Sequence, residues 1–179
     1  MRARTTDETP KLRATPLSQP LHVVLVEPEI PPNTGNIARL CGATASHLHL
    51  VGRLGFRIDD HAVKRAGIDY WHLVQVHTHV DFAHFLHAFG RLSPGGALHL
   101  FSGLAGRSYL DAGYRPGDAL VFGKESVGLP PELLEAHADR CVAIPMPGPV
   151  RSLNLANSVS IGLYEALRQV GGLGAPFLG

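Results

Sequence analysis

Residues 21–44 read LHVVLVEPEIPPNTGNIARLCGAT, and this stretch decides the fold. Leu21 to Glu27 is a β-branched apolar run, the pattern of a buried strand. The segment Glu27-Pro28-Glu29-Ile30-Pro31-Pro32 cannot continue it, because each proline removes a ladder donor. Asn33 or Thr34 then reads as an N-cap, with a helix through Ile37, Leu40 and Cys41 to about Thr44. A buried strand that passes through a short loop into a helix is the repeating unit of an α/β protein.

The same alternation continues on the carboxyl side. His47 to Gly52 (HLHLVG) reads as a second strand, and Asp59 or Asp60 caps a short helix, HAVKRAG, that stops at Gly67. Leu73 to Val80 alternates as a third strand, and Val80 to Phe89 has helical spacing. Ala97 to Ser102 and Asp118 to Gly123 are further strands, separated by a long loop to Gly117. Pro130 sits at the start of a helix, PPELLEAHA, where proline is tolerated. Cys141 to Met146 is a strand broken by Pro147-Gly148-Pro149, and a last helix runs from about Asn154 to Val170, ending at Gly171-Gly172. The expectation is an α/β domain over residues 21–172, with a mostly parallel sheet and helices on both faces. Residues 1–20 read as a flexible N-terminal tail and 173–179 as a C-terminal tail.

Bulk properties agree with one domain. The chain has 179 residues, 45% hydrophobic and 17% charged, with a formal net charge of +1. No uncharged apolar run is long enough to span a membrane, and the first twenty residues lack the apolar stretch of a signal peptide. Two cysteines far apart fit a reducing compartment better than a disulfide framework. A cytoplasmic protein is expected. Arg far outnumbers Lys among the sixteen basic residues, which suits phosphate binding but also arises from coding bias alone.

Three segments place glycine or polar residues at the carboxyl end of an expected strand, where ligands bind in open α/β sheets. The first is PPNTGNIAR (31–39), entering a helix whose N–H groups and dipole favour an anion, with Arg39 on an early turn. An ordinary capped helix with a wet Arg39 reads equally well there. The second is FGKESVGL (122–129), in which glycines bracket a polar turn and imply close backbone approach. Ligand contact is expected at the Gly123 backbone, whereas Glu125 is expected to fix the turn through loop N–H groups, with a cationic ligand as its other use. The third is IPMPGPVRSLNLAN (144–157), a stiff loop that projects Arg151, Ser152 and Asn154. Either Ser152 or Asn154 capping the last helix explains that segment, and so does a clamp for adenine, ribose or phosphate.

Other signatures are missing: there is no G-x-G-x-x-G after the first strand and no Walker A lysine motif. Eleven histidines invite a metal reading. His47 with His49 and His77 with His79 have strand spacing, and His84 with His87 are i, i+3 on a helix, but no acidic or Cys partner completes a conventional set. No metal is expected.

Taken in order, the strings VEPEIPPNTGNIARLCGAT, KRAGIDY, FGKESVGLP and IPMPGPVRSLNLANSVSIGLYEALRQ resemble the motifs of the SPOUT RNA methyltransferases. They look closest to those that methylate the ribose at the tRNA wobble position, the tRNA (cytidine/uridine)-2′-O-methyltransferases. The resemblance spans about residues 21 to 170. It implies a C-terminal third threaded as a trefoil knot, an exception to the usual absence of knots, and S-adenosylmethionine bound in the knotted loops. Carried over by position, the cofactor contacts would be Phe101, Gly123, Glu125, Gly128, Ile144, Ser152 and Leu153. The catalytic set would be Arg39, with Asn33 upstream of it, and Ser152 and Asn154. Lys124 and the short segment Pro147-Gly148-Pro149-Val150 depart from the typical pattern.

The implied activity is methyl transfer from S-adenosylmethionine to the 2′-hydroxyl of the wobble cytidine or uridine, with a tRNA anticodon stem-loop as partner and a homodimer as the working form. Arg39 is awkward as a general base, because guanidinium is not deprotonated in proteins. It suits a phosphate clamp and a stabiliser of developing alkoxide charge. Phe56, Tyr70 and Trp71 are candidates to stack on extruded bases, and Arg53, Arg57, Lys64 and Arg65 form the best basic patch. On the last helix, Val159, Leu163, Ala166 and Val170 make one stripe while Ile161 and Tyr164 lie elsewhere, as expected for a helix buried on two sides. Rival readings are methylation of another tRNA or rRNA site, and a noncatalytic RNA-binding module on the same fold. A nucleotide-binding hydrolase is disfavoured by the missing phosphate loop.

Overall fold

A computed structural model of the chain describes residues 11–56 and 71–178. The helix expected at HAVKRAG, and Arg57, Lys64, Arg65 and Tyr70 with it, lie outside the described residues. The strands are β1 (Leu12–Arg13), β2 (His22–Val26), β3 (His47–Val51), β4 (Val76–His79), β5 (Leu98–Phe101), β6 (Ala119–Phe122), β7 (Cys141–Val142) and β8 (Phe177–Leu178). Among the described residues the α-helices are α1 (Pro31–Thr44), α2 (Phe82–Leu92), α3 (Pro131–Ala136) and α4 (Leu155–Gln169).

Strands β2 to β7 form one six-stranded sheet in the order β4-β3-β2-β6-β5-β7, and every pair in it is parallel. All five residues of the central strand β2 are buried, because helices cover both faces and alternation is not needed. One face packs Val23, Leu25, Leu48 and Leu120 against Ile37, Ala38 and Cys41 of α1 and Val159, Leu163 and Ala166 of α4. The other packs Val24, Val51, Leu100 and Val121 against Phe85 and Phe89 of α2 and Leu133 and Leu134 of α3. Each wholly buried aliphatic side chain contributes roughly 1.5–3 kcal/mol, so the sheet is held from both sides. Helix α4 approaches closely: a Cβ at Gly162 would lie 2.7 Å from the ring of Phe101.

Three boundaries differ from the sequence reading. Helix α1 begins at Pro31, with Ile30 as its N-cap and no side-chain cap bond, so Asn33 and Thr34 lie inside the first turn and are buried. Proline needs no N–H partner in the first turn, and its fixed φ suits that position. The third strand is only Val76–His79, preceded by a 3₁₀ turn at Trp71–Leu73, and β7 is only Cys141–Val142. The two ends also meet, since Leu12–Arg13 pairs antiparallel with Phe177–Leu178. The last helix agrees closely: Asn154 caps it by accepting from the N–H groups of Ala156 and Asn157, and Gly171 beyond its end has φ +73°. Among the described residues, no helix is long and apolar enough to cross a membrane.

Candidate active site

Because the strands all run the same way, the loops after β2, β5, β6 and β7 gather at one edge of the sheet. They enclose an open cleft of about 1020 Å³. Phe101, Gly123, Glu125, Gly128, Ile144, Ser152, Leu153 and Asn154 all line it, so residues chosen from segments far apart in sequence come together. Its walls are mixed. Phe101, Phe122, Leu129, Ile144, Leu153 and Leu155 supply apolar surface, and Glu27, Lys124, Glu125, Arg151 and Ser152 supply polar groups. The Phe101 and Phe122 rings stack with centroids 4.4 Å apart, and Phe101 is fixed from behind by Gly162.

The loops after β2 and β6 interlock. Glu125 accepts hydrogen bonds from the backbone N–H groups of Glu29 (2.8 Å) and Ile30 (3.3 Å) and from Asn33 Nδ2 (2.9 Å). Glu29 in return accepts from the Ser126 N–H at 3.0 Å, and its carboxyl is held below its ordinary pKa chiefly by hydrogen bonding to Ser126. Lys124 Nζ donates to Glu27 at 2.7 Å, which raises the lysine pKa. The unusual Lys124 therefore has a partner in the preceding motif. The Glu125 carboxylate is engaged by the loop after β2 while the residue lines the cleft.

Asn33 joins all three segments. Its Nδ2 donates to Glu125, and its Oδ1 accepts from Asn154 Nδ2 at 3.0 Å. Asn154 at the same time caps α4. Sequence reasoning placed Asn33 only upstream of Arg39 and missed this bridge. The signal was faint: an Asn in the first turn of a helix that already begins with two prolines.

The two glycines of the second motif do different work. Gly123 is buried, and a Cβ there would overlap the backbone of Gly128 and Leu129. The loop turns back on itself so tightly that Gly128 N–H donates to the Lys124 carbonyl at 2.9 Å. Gly128 has φ +79°, and a Cβ on it would meet open space. Gly123 is thus required by the chain's own close approach, a reason additional to the ligand contact expected from sequence.

Arg39 is not among the cleft-lining residues. It is exposed on α1, six residues beyond Asn33, or about 9 Å along the helix axis. Arg53 is exposed and Phe56 half-buried on the loop after β3. On α4, Ile161 and Tyr164 remain 37% and 48% exposed while the opposite face is buried, so the helix presents a second apolar surface.

On the sheet face beside α2, running from the first residues of β2 and β3 to the last residue of β4, the parallel register assembles what single-strand spacing did not show. His22 pairs with His47, His49 with His77, and Val51 with His79, which puts His22, His47, His49, His77 and His79 on one face beside α2. His22 Nδ1 lies 2.9 Å from His49 Nε2, His49 Nδ1 lies 2.9 Å from His79 Nε2, and His77 Nε2 lies 3.4 Å from His47 Nδ1. Burial, reinforced by neighbouring histidines, lowers the His22 pKa to about 4 and that of His49 further. One nitrogen of each of His22, His47 and His49 lies within 4.8 Å of the others. His22 was missed because only strand pairing brings it to the group.

The SpoU rRNA Methylase family model matches residues 20–164. A tRNA (cytidine(34)-2′-O)-methyltransferase of Burkholderia cenocepacia is 44% identical over 151 residues, covering 84% of this chain and 96% of that one. A solved structure concerned with 2-OH methylation of C/U34 on tRNA superposes with a TM-score of 0.79 at 47% identity, covering 86% of this chain and 98% of that one. An AdoMet-bound rRNA methyltransferase from Sinorhizobium meliloti superposes with a TM-score of 0.69 at 28% identity, covering 87% of this chain and 61% of that one.

Proposed function

The chain belongs to the SpoU rRNA methylase family, and from that membership we propose that it transfers a methyl group from S-adenosylmethionine to the ribose 2′-hydroxyl of the wobble cytidine or uridine, nucleotide 34, of a tRNA. The observation that carries this reading is the convergence of the three motifs on one cleft at the carboxyl edge of a parallel sheet. High identity over nearly the full length of a nucleotide-34 methyltransferase supports the choice of substrate. A cytoplasmic setting goes with a tRNA substrate, and residues 21–172 are the unit to which the activity is assigned.

The residues of the cleft fit the cofactor. The apolar walls at Phe101, Leu129, Ile144 and Leu153 suit a flat purine. At Gly128 a side chain would project into unfilled space, so backbone lies open to the ligand. Glu27, paired with Lys124, and Glu125, held by the loop after β2, border the cleft as polar groups. Bound there, S-adenosylmethionine supplies a methyl group on a sulfonium that is already electrophilic, so orientation provides much of the acceleration. The Glu125–Asn33–Asn154 chain of hydrogen bonds holds the three loops in register around it. Ser152, exposed at the cleft, is placed to meet the ligand's polar groups.

Arg39 acts across a subunit boundary in this reading. It does not line the cleft of its own chain, and the apolar outer surface of α4 at Ile161 and Tyr164 offers a face for a second copy. A twofold dimer built there brings Arg39 of one subunit to the Ser152 pocket of the other. Its guanidinium then holds an RNA phosphate and stabilises charge developing on the ribose oxygen.

The test is methyl transfer to an anticodon stem-loop or whole tRNA, followed by nucleoside mass spectrometry. The product expected is 2′-O-methylated nucleotide 34, and a 2′-deoxy nucleotide at that position should accept nothing. Methylation that persists on the deoxy substrate would mean base chemistry and would end the proposal.

A further inference from the structure

We propose that His22, His47 and His49, with His77 beside them, form a binding site for a divalent transition-metal ion of the zinc class at the amino edge of the sheet. The site is independent of the methyl-transfer reading. His22 and His47 are the first residues of β2 and β3, whereas the cleft lies beyond the last residues of the strands. Five-residue strands span about 15 Å, so an ion here acts on the sheet and not on the reacting atoms.

The geometry comes first. Three parallel strands in register put imidazoles side by side, with His22 opposite His47 and His49 opposite His77. A tetrahedral zinc ion holds imidazole nitrogens at about 2.0–2.1 Å, which sets nitrogens about 3.3–3.4 Å from one another. His22 Nδ1 and His49 Nε2 are 2.9 Å apart, and His77 Nε2 and His47 Nδ1 are 3.4 Å apart. The ligand atoms of the His22, His47 and His49 trio already lie within 4.8 Å of one another. Small side-chain rotations therefore convert a hydrogen-bonded cluster into a coordination sphere.

The donor chemistry selects the ion. Imidazole nitrogen suits zinc, copper and nickel, while magnesium and calcium require oxygen ligands. No proton need leave on binding. Each neutral imidazole has one N–H and one lone pair, and a tautomer shift is enough to turn both facing nitrogens toward the metal. With Nε2 of His49 on the metal, its Nδ1–H donates to His79 Nε2 at 2.9 Å. That second hydrogen bond fixes the tautomer, as the outer partner of a metal-bound histidine does. Burial differs usefully across the group. His22 and His49 are 2% and 0% exposed and set the floor, while His47 and His77 are half-buried and give the ion a way in.

The experiment uses the full chain without a polyhistidine tag, stripped with EDTA, and titrated with Zn²⁺ and separately with Mg²⁺. One Zn²⁺ per chain is expected, with a raised melting temperature, and no response to Mg²⁺. Loss of an outer-sphere partner alone weakens metal sites about 10–100-fold, so His47→Gln should lower affinity at least about tenfold. His77→Gln should also weaken it, whereas His87→Gln on the exposed face of α2 should not. Cobalt in place of zinc should show the intense visible absorption of tetrahedral coordination. Melting in EDTA checks that each variant is folded, and if one is not, the other variant and the cobalt spectrum decide. Absence of saturable Zn²⁺ binding, unchanged affinity in the folded His47 and His77 variants, or a weak octahedral cobalt spectrum would each overturn the site.

Discussion

Replacing Gly123 by alanine tests whether the second motif is built around its own backbone. The added methyl overlaps the carbonyl carbon and oxygen of Gly128 and the nitrogen of Leu129, and backbone atoms cannot rotate out of the way as a side-chain tip can. Relief requires the 123–129 turn to open by about an ångström. Overpacking of this kind costs typically about 1–3 kcal/mol. The opened turn also loses the Gly128 to Lys124 hydrogen bond and misplaces the three bonds that Glu125 accepts from the preceding loop. A 1 Å error in a positioned site is worth roughly 100-fold in rate. Gly123→Ala should therefore lose about 2–3 kcal/mol in urea unfolding and bind S-adenosylmethionine far more weakly by calorimetry, with kcat/KM down roughly 100-fold. Gly128→Ala is the control for strain without overlap: its φ of +79° penalises alanine, but space is open, so a stability loss of about 1–2 kcal/mol is expected. If Gly123→Ala melts and binds like the parent, the tight return of the loop is not what the glycine provides.

Mixing an Arg39→Ala subunit with a Gly123→Val subunit, each inactive alone, should partly restore activity, since one site of the heterodimer carries neither lesion; a verified heterodimer that stays inactive would put Arg39 and the pocket in one chain. Asn33→Ala removes the bond to the Glu125 carboxylate and leaves Asn154 Nδ2 without its acceptor, for an expected loss of about 2–4 kcal/mol by urea unfolding; a loss under about 0.5 kcal/mol would show that the bridge is not structural. In EDTA, stability should fall on acidification. The folded pKa values of His22 and His49 lie below the ordinary 6.5, so the unfolded chain takes up protons first, and the stability is fully present above pH 6.5. Two such groups cost on the order of 3–4 kcal/mol between pH 6.5 and 5, and flat stability over that range would contradict their burial as neutral rings.

The alternation of buried strands and helices was legible because a parallel sheet covered on both faces leaves uninterrupted apolar runs such as HVVLV. The Asn154 cap was legible because capping is local chemistry. Helix α1 was displaced by three residues for an equally physical reason. Its first turn is served by a carboxylate 95 residues away, Glu125 accepting from Ile30, and two prolines hide the start from any rule that expects a side-chain cap. The Glu27–Lys124 pair spans 97 residues, so Lys124 read only as a departure from pattern. Threading of the chain through a knot is a property of the whole path, and no periodicity encodes it; that expectation came from resemblance alone. The histidines were read along single strands, but the relevant neighbour of His22 is set by the register of β2 against β3, which depends on pairing rather than on spacing.

Parallel direction has one more consequence for how this molecule divides its chemistry. In an antiparallel sheet, loops bearing polar residues alternate between the two edges. Here every strand of the six-stranded sheet ends at the same edge, so the variable loops and glycine turns collect there. The other edge is left to strand beginnings, whose side chains can be read by cross-strand register alone. Residues at that edge contribute to stability through neighbouring strands, with β2 pairing both β3 and β6. They reach the cleft only through the rigid body of the sheet. A change confined to His47 should therefore move melting temperature and metal affinity while leaving cofactor affinity alone, and a change at Asn33 should move stability and cofactor affinity together. The two edges are energetically separable to the extent that the buried β2 strand behaves as one stiff element, and its complete burial on both faces is the reason to expect that it does.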